Sequence, residues 1–299
     1  MRFPGIAPVI VALAVLSAPF SVASDDSITG SGVVISIVPT KDGQAQPGPT
    51  DLAVRDDKRP APVSQLRPLK NEPLVFSVLV DGSGSMRRVQ SAQNAAAVRL
   101  FKALFKPANQ GHLILFQDDQ DNYVTNEVLD VSRVEEILKQ SERRGATVFY
   151  DAIAQAVTDQ LTTEKGPPAL RRAIFVLSDG DDNFSNTGFQ RAVGMLQRGG
   201  ISLFAIHIPE PDTRRDPNLK RNAKEGLDNF RELARATGGT MVEMDDAGAF
   251  VPQIVSAVDN QYLLSLTLPP GVTNQVHTLE VKCSPGKFTV FAPAVYFPQ

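Results

Sequence analysis

Cysteine occurs once in the 299 residues, at Cys283, so the chain has no second thiol with which to close an intramolecular disulfide. Histidine is nearly as scarce, with three residues and no companion cysteines, which removes the usual Cys/His zinc sets and most transition-metal enzymes. An excess of one charge is also lacking: 30 Lys and Arg stand against 33 Asp and Glu, with no long basic run. Nothing here offers the electrostatic footprint that a phosphate backbone demands, and nucleic acid is excluded as the main partner. Beyond the first two dozen residues no segment is apolar for long enough to span a bilayer. What is present is 42% hydrophobic and 21% charged residues, a composition that packs a core rather than staying disordered.

The N-terminus reads as a leader. Met1-Arg2 is a short positive start, and Ile6 to Phe20 is apolar with prolines at Pro8 and Pro19. Ser21-Val22-Ala23 then supplies the small residues a signal peptidase reads. Residues 1–24 are therefore expected to be a cleaved signal peptide, and the product secreted or periplasmic; an uncleaved membrane anchor is the alternative. No cysteine follows the apolar run to carry a lipoprotein anchor.

Four segments are expected: the signal at 1–24, a β extension or linker at 25–71, an α/β domain at 72–260 and a β appendage at 261–299. In the third, buried-type strands (Leu74 to Val80, His112 to Phe116, Ala173 to Leu177, Ile201 to Ile208) alternate with helical stripes such as Ala97, Leu100, Phe101, Leu104 and Phe105. Others are Ile153, Ala156, Val157 and Leu161, and Val251, Ile254, Val255 and Val258. Tyr123 to Leu129 reads as an antiparallel edge strand beside His112 to Phe116. The fold class is α/β, a doubly wound, Rossmann-like, mostly parallel sheet, because parallel connections must cross over it. Around it, Gly32 to Pro39 and the period-two runs 262–267, 275–283 and 288–296 suggest a small antiparallel β appendage.

Three chemical segments follow strand ends or precede helices, where open α/β sheets bind ligands. They are Asp81-Gly82-Ser83-Gly84-Ser85, Gly145-Ala146-Thr147 and Ser178-Asp179-Gly180. Together they offer carboxylates and hydroxyls only, the donors a hard divalent cation such as Mg2+ takes. Ser83 and Ser85 can both turn inward, with Gly82 and Gly84 allowing close backbone approach. Two carboxylates leave a divalent ion short of ligands, open to an oxygen from outside. Asp181 and Asp182 read as a solvated turn, and Arg87-Arg88 as surface. His112, His207 and His277 read as buried structural residues, and Cys283 as core.

The set Asp81-x-Ser83-x-Ser85, Thr147 and Asp179-Gly180 resembles the metal-ion-dependent adhesion site of von Willebrand factor type A (VWA) domains, over roughly residues 72–260. The flanks resemble an exported bacterial subfamily of von Willebrand factor A-related proteins described from acidobacteria. The carrying segments are Val34 to Arg59, with a "DLxVxDD"-type stretch, and Gln261-Tyr262-Leu263-Leu264 with Val276-His277-Thr278-Leu279. Leu52 and Val276 stand where that subfamily favours aromatics. The resemblance implies Mg2+, with Mn2+ or Ca2+ as alternatives, held directly by Ser83 and Ser85. Asp81 and Asp179 would bind it directly or through water, and Thr147 directly in the ligand-engaged state. It implies a non-enzymatic, adhesion-type protein-binding module whose ion is completed by an Asp or Glu of an exported or surface protein. The competing readings are a metal-assisted hydrolase or phosphoryl-transfer enzyme, and a scaffold whose ion ties loops together. No Lys or His accompanies the motif as an evident base and no phosphate-cradling GxxxxGK[ST] occurs, which weakens the enzyme reading.

Overall fold

Leu74–Asp81 reads LVFSVLVD and is buried at all eight positions, so this strand needs cover on both faces. The computed structural model supplies it, describing residues 31–41, 43–117, 123–124, 130–162, 170–209, 217–244, 248–268, 275–283 and 286–297. The leader expected at 1–24 lies outside the described residues.

In chain order the elements begin with β1 (Ser31–Pro39), β2 (Leu52–Asp56), β3 (Arg59–Pro60), β4 (Val63–Pro68) and β5 (Leu74–Asp81). There follow α1 (Gln90–Leu104), β6 (Gln110–Phe116), β7 (Tyr123–Val124), α2 (Val131–Gln140) and α3 (Phe149–Thr162). Next come β8 (Arg171–Ser178), α4 (Phe189–Arg198), β9 (Ile201–His207), α5 (Pro217–Thr237), β10 (Met241–Glu243) and α6 (Phe250–Asp259). The last strands are β11 (Gln261–Leu266), β12 (His277–Cys283), β13 (Phe288–Phe291) and β14 (Val295–Tyr296).

The central sheet runs β10-β9-β8-β5-β6-β7, parallel throughout except for β7, which pairs antiparallel with β6. This is the expected doubly wound α/β fold with one antiparallel edge. Alternation along β5 sends Phe76, Val78 and Val80 into one layer with Leu100 and Phe101 of α1 and Phe250 and Ile254 of α6. Leu79 enters the other, with Phe149 and Ile153 of α3, Leu196 of α4 and Phe230 of α5. Sequence periodicity overshoots at helix ends: Phe105 caps α1 and is 38% exposed, and Leu161, in the last turn of α3, is 47% exposed.

The flanks join hands around β1, which lies antiparallel between β11 and β13, with Ile35 opposite Tyr262 and Ile37 opposite Val290. β4 extends this sheet beyond β11, while β12 pairs with both β2 and β14. Within 25–71, where the sequence allows either a β extension or a linker, β1 is thus followed by three further strands, β2, β3 and β4. The expected strand 288–296 divides at Pro293, which has no N–H to give a ladder. Ile35, Ile37, Val54, Leu264 and Tyr296 close a separate core there. Among the described residues no helix is long and apolar enough to cross a membrane.

Candidate metal centre

Parallel register decides what meets at the upper edge of the central sheet. Val80 of β5 lies opposite Leu177 of β8, so Asp81, which ends β5, and Asp179, which follows β8, leave the sheet side by side. The chain runs from β5 outward to β6 and returns to β8 on the other side, making this the reversal point of strand order where such sheets hold ligands.

A continuous hydrogen-bonded chain links the loops. The Ser83 amide donates to Asp81 Oδ1 at 2.8 Å, Ser83 Oγ lies 3.0 Å from Ser85 Oγ, and Ser85 Oγ donates to Asp179 Oδ2 at 2.9 Å. Ser178 Oγ closes the circle behind them, donating to Asp81 Oδ2 at 2.5 Å and accepting from the Gly180 amide at 3.0 Å. Thr147 sits on the third loop, which is tied to the first where the Gly84 amide donates to the Gly145 carbonyl at 3.1 Å. It is tied to the loop after β8 where Asn183 Oδ1 accepts from the Thr147 amide at 2.9 Å. Four of the five expected residues therefore share one side-chain network, and Thr147 is buried beside it on a loop bonded to both of the others.

The model of the von Willebrand factor type A domain matches residues 77–256, more than half of the chain. The chain belongs to the VWA domain family. Among solved structures it is similar to an aerotolerance-related membrane protein of Bacteroides fragilis, at 18% identity and a TM-score of 0.44, covering 62% of this chain and 98% of that one. It is also similar to BatB of Bacteroides thetaiotaomicron, at 20% identity and a TM-score of 0.45, covering 61% and 97%. The pilus adhesin SpaC of Lactobacillus rhamnosus GG gives 10% identity and a TM-score of 0.48, covering 86% of this chain and 49% of the adhesin. No curated protein matches.

In this VWA site glycine is required at Gly180 and fits closely at Gly82. A Cβ on Gly82 would come within 3.0 Å of the Phe116 carbonyl oxygen, and one on Gly180, at φ +88°, within 2.6 Å of the Gly226 carbonyl oxygen. Gly84 differs from expectation: a Cβ there would stand 3.5 Å from the Gly145 carbonyl, an ordinary contact.

Residues the sequence did not single out brace the network. Gln93 Nε2 donates to the carbonyls of Asp81 and Leu177, both at 3.1 Å, clamping β5 to β8 at their ends. Gln93 Oε1 in turn accepts from Nε of Arg143, a guanidinium only 2% exposed that also donates to Ser141 and Asn94. Burial draws the Arg143 pKa down to about 10, opposed by the charge of Asp81. Asp182, expected as a solvated turn, caps α3 instead, accepting from the Tyr150 amide and from Ser185 Oγ.

Asp81 is fully buried, and that burial, with the charge of Asp179 beside it, pushes its carboxyl well above the usual carboxylate range. Two carboxylates held together out of water, with hydroxyl oxygens between them and no nitrogen donor in the set, fit a hard divalent cation. The remaining expectations fall in the core: His112 and His207 are buried, and burial lowers the pKa of His207. Cys283 is half-buried and donates to the Phe288 carbonyl.

A second group of ligand-type side chains lies in the flanks. Ligating atoms of Asp56, Asp57 and His277 fall within 4.8 Å of one another. His277 is buried as expected, but against carboxylates rather than among the apolar residues its alternation suggested. The Asp-Asp doublet at a turn was the available signal, and nothing local tied it to a histidine 220 residues away.

Proposed function

We propose that this VWA domain is an exported, divalent-metal-dependent protein-binding module and not an enzyme. Asp81, Ser83, Ser85, Thr147 and Asp179 would hold the ion, Mg2+ in the first instance, and the ion would supply an electrophilic centre with a free coordination position. A carboxylate from an Asp or Glu of a partner protein is the ligand of matching charge and hardness.

The observation that carries this reading is the network itself: two adjoining carboxylates, one wholly buried, bridged by two serine hydroxyls at 2.9–3.0 Å. Each residue of the chain has a separable task. Asp81 is fixed from behind by Ser178 and from its own loop by the Ser83 amide, so its oxygens keep one orientation. Ser85 is half-buried and forms the solvent side of the network, where a partner group would approach. Gln93, anchored by Arg143, keeps the two strand ends from separating.

Calorimetric titration with Mg2+ tests the site. Asp179→Ala should reduce affinity by at least about 100-fold while the fold persists, because Asp179 lies beyond the packed strand. Wild-type affinity in that variant would remove the assignment. Capture of exported proteins on the immobilised chain, with Mg2+ against chelator, tests the function: specific partners retained only with metal support it. Turnover of generic phosphate or ester substrates would replace it.

A further inference from the structure

The flank cluster forms where β2 turns into β3. Asp57 and Lys58 occupy the left-handed region at φ +45° and +66°, folding the hairpin so that Asp56 and Asp57 both face the first residue of β12, His277. The His277 ring is 4% exposed, and its Nδ1 lies 3.0 Å from Asp56 Oδ1 and 3.0 Å from Asp57 Oδ2. A ring nitrogen carries at most one hydrogen in any protonation state, so it cannot make a full hydrogen bond to both oxygens. The other ring nitrogen, Nε2, is buried with no hydrogen-bond partner, which leaves Nδ1 as the nitrogen the ring presents to a ligand.

The carboxylates are oriented from outside the cluster. Asp57 Oδ1 accepts from the Thr278 amide at 2.9 Å and from Thr278 Oγ1 at 3.1 Å, leaving Oδ2 turned to the ring. The Tyr296 hydroxyl donates to Asp56 Oδ1 at 3.0 Å. Outer partners of this kind fix metal ligands in place. Asp57 is 52% exposed, giving an ion a path in and room for water.

We propose that Asp56 Oδ1, Asp57 Oδ2 and His277 Nδ1 form a second divalent-cation site, for a borderline ion such as Zn2+, that pins the β2–β3 turn to β12. Tetrahedral ligands about 2.1 Å from Zn2+ stand about 3.4 Å apart, so the two nitrogen–oxygen edges, both 3.0 Å, need open by only a few tenths of an ångström to admit the ion. Two carboxylates and a neutral imidazole balance a divalent charge. The imidazole separates this site from the all-oxygen set at the sheet edge, because nitrogen ligands favour Zn2+ over Mg2+.

The test is calorimetric titration of the full chain with Zn2+, in wild type and in Asp179→Ala, where the sheet-edge site is disabled. Zn2+ binding should persist in Asp179→Ala and fall at least about tenfold when Asp57→Asn is added. Asparagine keeps the Oδ1 acceptor for Thr278, so the hairpin stays folded while the Oδ2 ligand is lost. Zn2+ should raise the melting temperature of wild type and not of Asp57→Asn; His277→Gln gives a second, independent loss of binding. Absence of Zn2+ binding in Asp179→Ala, or binding unchanged by Asp57→Asn and by His277→Gln, overturns the site and leaves a hydrogen-bonded turn in its place. Mg2+ binding at the sheet edge does not depend on Asp57, so either site can fail alone.

Discussion

The two acidic clusters of this protein hold their carboxylates by opposite means. At the sheet edge, Asp81 is carried out of water by a parallel strand buried along its whole length, and its neighbour is another carboxylate. At the β2–β3 turn, Asp57 stays half in solvent, and the Thr278 amide holds its carboxyl below the usual range. The first arrangement is under electrostatic tension that a bound cation would relieve; the second is comfortable as an anion. A site built by core packing would thus depend on an ion more than one built by a hairpin, although both present two carboxylates.

The sharpest way to break this contrast is to disturb the packing under the first cluster. Gly180 sits at φ +88° with its α-carbon against the backbone of Gly226 in α5. Gly180→Ala should cost about 3 kcal/mol, from left-handed strain together with overpacking against that backbone. Urea denaturation measures the loss, and Mg2+ affinity should fall with it because Asp179 is the preceding residue. A loss below about 1 kcal/mol would mean that α5 yields easily and that core packing does not fix Asp179.

A smaller effect separates the clusters by pH. Asp81 has its folded pKa raised from 3.8 to about 7, so the metal-free native state keeps a proton that the unfolded chain releases. The stability linked to this proton is complete below the ordinary carboxylate value, declines between about 4 and 7, and is gone above that. Mg2+ affinity should rise across the same window as the proton is displaced. Asp57 has the opposite sign: its lowered pKa contributes stability above the ordinary value that is lost as pH falls through the folded one. Metal-free urea titrations at several pH values, with hydrogen exchange resolving the β2–β3 turn from β5, should show base weakening the sheet edge and acid weakening the turn. Parallel pH responses in the two regions would refute the contrast.

The same difference explains what the sequence made legible. Long buried runs such as Leu74 to Val80 and Ala173 to Leu177 declare parallel strands, and the chemical residues lie immediately past their ends, so fold and candidate site could be read together. α2 went unread although Asp130 caps it and Val134, Ile137 and Leu138 mark its inner face. Gln93 and Arg143 were invisible because a polar residue inside an apolar stripe reveals its partner only in three dimensions. The flank cluster is the extreme case, since Asp56 and His277 meet through the pairing of β2 with β12, and no local pattern encodes which distant strands will pair.

The smallest expected effect falls on the turn itself. Where the sheet edge places glycine in the left-handed region, as at Gly180, the flank turn places Lys58 there at φ +66°, a conformation in which a Cβ crowds the backbone. Lys58→Gly removes that crowding and should stabilise the flank by about 1 kcal/mol, partly offset by the greater freedom of glycine in the unfolded chain. Lys58 is not a member of the cluster, so the gain should appear in urea denaturation with and without Zn2+ alike. A gain confined to the metal-free protein would mean that the ion, rather than the hairpin, imposes the turn's geometry, and would place the flank cluster in the same class as the sheet edge.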